Sequence, residues 1–275
     1  MQLMHRTDAL ATGRELINQP TLDAAGDPAP AASRTPRRKP MTLTTTDTPA
    51  RSAPQLGLGG TRSSHRWTST PGNFDKLNCR ALWPADNAWG IPLLPRATFE
   101  PARLVAYTDR HAARTAGPGS AVHFFLDDYR FEVVWSKPER GLSRCRSVGA
   151  ALTPDFSLYR DMPLVMQCWQ VYRSRWCGAW LHHHGVTVVP TISWSTPDSY
   201  PFAFAGIPAG SVVAVSTVGV WRDPVARELF VAGYAEMLHQ LAPALVLVHG
   251  KPPTEQVQAG TPVRCYPSRW DGGDR

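Results

Sequence analysis

The chain lacks the short motifs that anchor most nucleotide-dependent and hydrolytic chemistry. It holds no G-x-x-x-x-G-K-[ST] loop, no G-x-S-x-G elbow, no H-E-x-x-H pair and no G-x-G-x-x-G after a strand. P-loop phosphate binding, serine-elbow hydrolysis, zincin proteolysis and dinucleotide binding therefore have no sequence anchor. Apolar runs are short, far below the ~18–20 residues of a membrane span. No continuous apolar segment follows the first basic residues, so neither a secretory signal nor a membrane partner is expected. Cysteine is sparse and unpatterned: Cys79, Cys145, Cys168, Cys177 and Cys265 include no C-x-x-C pair. They read as reduced, mostly packed thiols of a cytoplasmic protein. Lysine is also scarce, four against 25 arginines, which reads as nucleotide-composition bias in the gene before it reads as arginine chemistry.

What is present suffices for one domain of about 200 residues plus a tail. The chain has 275 residues, 43% hydrophobic and 19% charged, with a net charge of +7. Residues 1–70 carry nine Lys/Arg against five Asp/Glu, and the rest 20 against 17. The remainder is thus only mildly basic, and charge alone does not demand a broad phosphate-binding surface. Residues 1–70 are rich in Pro, Ala, Ser, Thr and Gly without lasting periodicity, and read as a disordered or low-complexity tail. Met41, after the Arg37-Arg38-Lys39 cluster, is a candidate translation start. Residues 71–275 read as a single α/β domain, with an irregular lead-in over Asn73–Glu100 and a fraying end at Asp271–Arg275.

From Arg103 the pattern becomes regular. Strands are expected at Arg103–Tyr107, Val122–Leu126, Val148–Leu152, Val186–Pro190, Ser211–Val215, Leu245–Val248 and Val263–Tyr266. Helices are expected at Glu132–Cys145, divided at Pro138, at Met162–His184 with Asp161 as cap, and at Val225–Leu241 with Asp223 as cap. Leu164, Val165, Cys168, Trp169, Tyr172, Trp176, Ala179 and Trp180 recur at helical spacing and read as a core stripe packed on a sheet. Short Val-rich strands separated by helices predict a mostly parallel sheet of six or seven strands with helices on both faces. Either an open doubly wound sheet or a partial barrel fits.

In parallel α/β sheets, ligands bind outside the carboxyl ends of the strands. The expected exits carry Asp109; Asp127 and Asp128; Asp155 and Ser157; Thr191, Ser193 and Trp194; Ser216 and Thr217; His249 and Lys251. Two carboxylates in different environments can divide acid and base roles. Asp127, Asp128, Asp155 and His249 are the catalytic candidates. Ser157, Ser193, Trp194, Ser216, Thr217 and Lys251 are the ligand-binding candidates, with Trp194 a stacking wall and Lys251 an anion contact. The plain alternative for the aspartates is helix capping. Asp127, Asp155 and His249 contain the donor types for a hard or borderline divalent ion, but no metal site is assigned and no cofactor is named. His182-His183-His184 reads as a solvated helix C-terminus, where positive charge suits the dipole.

Arg173 and Arg175, interleaved with Tyr172 and Trp176, fit base stacking and phosphate contact in a nucleic-acid binder. Salt bridges to Asp155, Asp161 or Glu132, with the rings buried in the core, are the reading that the near balance of charges favours. The partner is therefore a small-molecule or nucleotide ligand on the first reading and nucleic acid on the second. Neither fixes an oligomeric state.

The run Phe125-Leu126-Asp127-Asp128-Tyr129-Arg130-Phe131-Glu132 resembles the family catalogued as domain of unknown function 4417. So do Pro154-Asp155-Phe156-Ser157-Leu158-Tyr159 with Asp161-Met162-Pro163, and Tyr172-Arg173-Ser174-Arg175-Trp176. Val189–Trp194 and Val215–Gly219 continue the likeness, which spans about Pro92 to Pro253. The resemblance implies a setting in phages, plasmids and integrated mobile elements, and carries no catalytic residues with it.

Overall fold

The computed structural model describes residues 77–78 and 81–268. The expected tail over 1–70, the start at Met41, Cys79 and the fraying end at Asp271–Arg275 lie outside the described residues. Residues 83–102 run without helix or strand, yet Ile91, Leu94 and Ala97 are buried within them. Regular structure then alternates: β1 (Arg103–Ala106), α1 (Arg110–Arg114), β2 (Ser120–His123), α2 (Val133–Ser136), α3 (Pro138–Val148), β3 (Ala150–Leu152), α4 (Leu164–His183), β4 (Thr187–Val189), α5 (Tyr200–Ala203), β5 (Val212–Ser216), α6 (Pro224–Leu241), β6 (Leu245–His249), α7 (Glu255–Gln258) and β7 (Val263–Tyr266).

All seven strands are parallel to their neighbours, in two sheets rather than the single sheet expected: β1-β2-β3-β4 and β5-β6-β7. A lone bridge joins them, where Ala214 donates to the Pro190 carbonyl at 2.9 Å and accepts from Ile192 at 2.8 Å. Pro190 itself has no N–H to extend β4. Strand order follows chain order in both sheets. A doubly wound sheet needs a reversal of order, and neither sheet has one.

Alternation along the strands separates two faces. Val122, Phe124, Ala151 and Val188 pack in one cluster with Trp176 and Leu181 of α4. Val213, Val215, Val246 and Val248 pack in another with Phe230, Tyr234 and Met237 of α6. The opposite face carries Leu104, Leu152, Val189, Val212, Ala214, Leu247 and Tyr266, which join residues of both sheets in one cluster.

The long helix departs from its expected stripe. Leu164, Val165, Met166 and Trp169 are exposed, whereas Gln167, Arg173, Ser174 and Arg175 are buried. The second half of α4 is enclosed nearly all round, and its polar residues face the strand-exit loops. Gly178 permits this approach: a Cβ there would lie 2.7 Å from Thr153 Cγ2. Pro163, not Asp161, occupies the N-cap position of α4, with no side-chain cap bond. Asp223 caps α6 as expected, accepting from Val225 N at 2.9 Å.

Candidate functional site

The carboxylates at the exits of β2 and β3 do not cap helices. Asp128 follows β2 in the tight turn Asp128–Arg130 and reaches the β3 exit. There it accepts from the Ser157 backbone N–H at 3.2 Å and from Ser157 Oγ at 2.8 Å. Asp155, buried after β3, accepts from the Ser193 hydroxyl after β4. Each carboxylate therefore bridges two neighbouring exits. Asp127 stays apart, partly exposed and 3.0 Å from the Arg130 guanidinium. Asp109 does cap, accepting from Ala112 N at 2.8 Å.

Burial pushes the Asp128 carboxyl above the usual carboxylate range. The Ser157 bonds oppose that rise, the Asp155 charge adds to it, and the Arg173 charge subtracts from it. The Asp155 charge thus reaches Asp128. Beside them Asp155, Gln170, Ser174, Arg175 and Ser193 line a cleft of about 10 Å³, room for about one water.

The two arginines expected to meet nucleic acid are inside the fold. Arg175 is fully enclosed and donates to the carbonyls of Thr191 at 2.9 Å, Ala203 at 3.0 Å and Ala205 at 3.3 Å. Burial lowers its pKa to about 10, and the Asp155 charge works against that fall. Arg173 lies over the Phe156 ring at 3.9 Å, pairs with Glu132 and donates to Gln170 Oε1 at 2.9 Å. Neither guanidinium faces solvent where a phosphate backbone would lie.

Trp194 is also corrected. It is fully buried against Phe204 and Phe230, and its Nε1–H donates to the Leu229 carbonyl at 3.1 Å. It is core and offers no stacking surface. Gly233 makes the room, since any Cβ there would strike the indole.

On the second sheet, Ser216 and Thr217 are buried and committed to main chain. Ser216 Oγ donates to the His249 carbonyl at 3.4 Å, and Thr217 Oγ1 to the Lys251 carbonyl at 2.7 Å. The Lys251 side chain is exposed at the β6 exit. The His249 ring meets a residue the sequence reading missed. His123 ends β2, buried, with its ring 4.8 Å from His249 and Phe125 stacked on both at 5.6 and 4.9 Å. Its Nδ1 accepts the Phe125 N–H at 3.3 Å, which places the proton of a neutral ring on Nε2. The signal available was position alone, had the end of β2 been set at His123.

Gln167 was missed as well. Its amide joins the Met162 carbonyl to the Ser195 hydroxyl, at 2.8 and 2.5 Å. Among the described residues no three His, Cys, Asp or Glu side chains gather as a metal group, so Asp127, Asp155 and His249 form no ligand set. His184 instead donates Nδ1–H to the Trp180 carbonyl at 2.8 Å, at the end of α4.

Comparison with known proteins places the chain in a family. The family described as domain of unknown function DUF4417 matches residues 83–267. The chain belongs to that family. As a DUF4417 protein it is 49% identical over 213 residues to the Gene 1 protein of Mycobacterium phage D29, covering 77% of this chain and 79% of that one. It is 48% identical over 215 residues to the Gene 1 protein of Mycobacterium phage L5, covering 78% and 94%. No solved structure matches the DUF4417 chain. No helix among its described residues is long and apolar enough to cross a membrane.

Proposed function

We propose that this DUF4417 protein handles a small polar ligand of the nucleotide class at the carboxyl rim of its strands, using Asp128 and Asp155 as an acid–base pair. The carrying observation is that two carboxylates at adjacent exits are each held by a serine of the next exit, with the Asp155 charge reaching the buried Asp128. Asp128, pushed upward by burial, is the proton donor, and Asp155 is the acceptor. Ser157 and Ser193 orient the carboxylates, and Lys251 supplies an anion contact from the β6 exit. His249, backed by His123 and Phe125, forms the inner wall.

The architecture that suits this reading is a partial barrel built by the described residues, within one domain over 71–275. Sequential parallel strands, a shared inner cluster and the bond from the Tyr266 hydroxyl to the Pro101 carbonyl support it. The relatives are phage proteins, which suits a role in a mobile element.

Thermal melts of the full chain with nucleosides, nucleoside monophosphates and nucleoside triphosphates test the reading. A binding member at about 100 times its Kd should raise Tm by about 5–10 °C. Asp155→Asn and Asp128→Asn should each abolish that rise. No shift from any member, or a shift that survives both substitutions, overturns the reading. The alternative, a non-catalytic nucleic-acid-binding accessory protein, loses Arg173 and Arg175, which are committed inside the fold. Salt-steep binding to single- or double-stranded DNA or RNA would revive it through other cations.

A further inference from the structure

A buried arginine stands between the two elements that carry the rim carboxylates. Arg173 projects from α4, with its guanidinium carbon 3.9 Å from the centre of the Phe156 ring and 5.4 Å from the centre of the Trp135 ring. Phe156 is flanked in the chain by Asp155 and by Ser157, the partner of Asp128. Glu132, which pairs with Arg173, follows Phe131 at the end of the turn that carries Asp128. Gln170 Oε1 holds a third edge of the guanidinium at 2.9 Å. One side chain of α4 thus grips the Asp128 turn through Glu132 and the Asp155 loop through Phe156.

We infer that Arg173, clamped by Glu132 and lying on Phe156, is a positioning residue that fixes the Asp128 carboxyl against Ser157 and keeps a positive charge beside it. The inference deepens the proposed acid–base site and rests on that reading for its functional meaning.

Two observations favour a charge clamp over a plain salt bridge. Glu132 is 45% exposed, and an ion pair with so wet a partner adds little stability. Arg173 Nε, in contrast, is buried without a hydrogen-bond partner. Hydrogen bonding alone does not explain an arginine that leaves a buried donor unmet. Its stacking on Phe156 and its field at Asp128 do. At Asp128 burial raises the proton affinity most, the Ser157 bonds counter it, Asp155 raises it again and Arg173 lowers it.

The test is a carboxyl-carbon NMR titration of the full chain labelled at aspartate, with Asp128→Asn identifying the Asp128 signal. Arg173→Met keeps apolar bulk on Phe156 and removes the charge, so the Asp128 midpoint should move up. Arg173→Lys keeps a charge but loses the fork, so its midpoint should fall between the two. If Arg173→Met gives no folded spectrum, Arg173→Lys decides alone, by an upward shift or none. Identical midpoints in the wild type and every folded variant overturn the inference. The titration needs no ligand. A moved midpoint without nucleotide-dependent melting keeps the clamp and sinks the proposed site, while an unmoved midpoint with such melting does the reverse.

Discussion

In the four-stranded sheet, the exits of β2, β3 and β4 are tied side chain to side chain, Asp128 to Ser157 and Asp155 to Ser193, and to α4 through Ser195 with Gln167 and Thr153 with Ser174. In the three-stranded sheet, the exits of β5 and β6 are tied by hydroxyls to main-chain carbonyls, Ser216 to His249 and Thr217 to Lys251. The first set contains ionisable groups, so a proton or a ligand can rearrange it. The second contains none in those bonds, which is why the proposal puts the acid–base pair on the first.

The comparison breaks or sharpens under substitution. Arg175→Ala should have the largest effect, since it empties a fully enclosed cation site and strands three carbonyls. Urea denaturation should show a loss of about 3–5 kcal/mol. Thr153→Val should cost about 1–3 kcal/mol, because the buried Thr191 N–H loses its acceptor at 2.9 Å. Thr217→Val on the second rim should cost about 0.5–1.5 kcal/mol, since the Lys251 carbonyl still accepts from Trp221 Nε1. If the two threonine variants lose equal stability, the contrast between rims is one of chemistry and not of burial.

Asp128→Asn reads the responsive rim through pH. Folding raises the Asp128 pKa, so its contribution is fully present below the ordinary carboxylate range and is lost as pH rises through the raised value. The variant should therefore gain on the wild type as pH climbs through that window, measured by denaturation at stepped pH. A constant gap would mean that Asp128 does not titrate differently in the folded state. Asp127→Ala should do least, below about 0.5 kcal/mol, because its pair with Arg130 is open to water.

The parallel α/β class was legible because short Val-rich runs alternate with helical spacing, and the helix cap at Asp223 left a local signature, whereas Asp109 read as a strand exit and caps an unexpected short helix. The end of β2 was not. Residues 121–126 are apolar except at His123, so periodicity could not say where pairing stops. The expected strand ran to Leu126, while the observed one ends at His123. That shift hid His123 and drew attention to Asp127, which lies on the surface. On α4 the pair of Arg173 with Glu132 was within reach of the sequence, as a core salt bridge. Gln167 was not, because it falls off the apolar stripe, and only loops folded over the helix from distant sequence make it interior. Trp194 was misread likewise, because its place depends on Gly233, and no local pattern joins the two.

The chain-order arrangement of strands has a consequence for synthesis. Within each sheet every strand pairs with the one made just before it, so the first sheet is complete once β4 leaves the ribosome. The ties from the last strand, Tyr266 to Pro101 and Arg264 to Glu100, span 165 and 164 positions and must wait for β7. At about 5–20 residues per second, the interval lasts several seconds. Until β5 emerges β4 presents an unpaired edge, and the cover over Leu104, Leu152 and Val189 arrives in steps, with Val212, then Leu247, then Tyr266. A product arrested before β5 would carry that bare edge for good, making it a seed for aggregation and a substrate for cellular quality control.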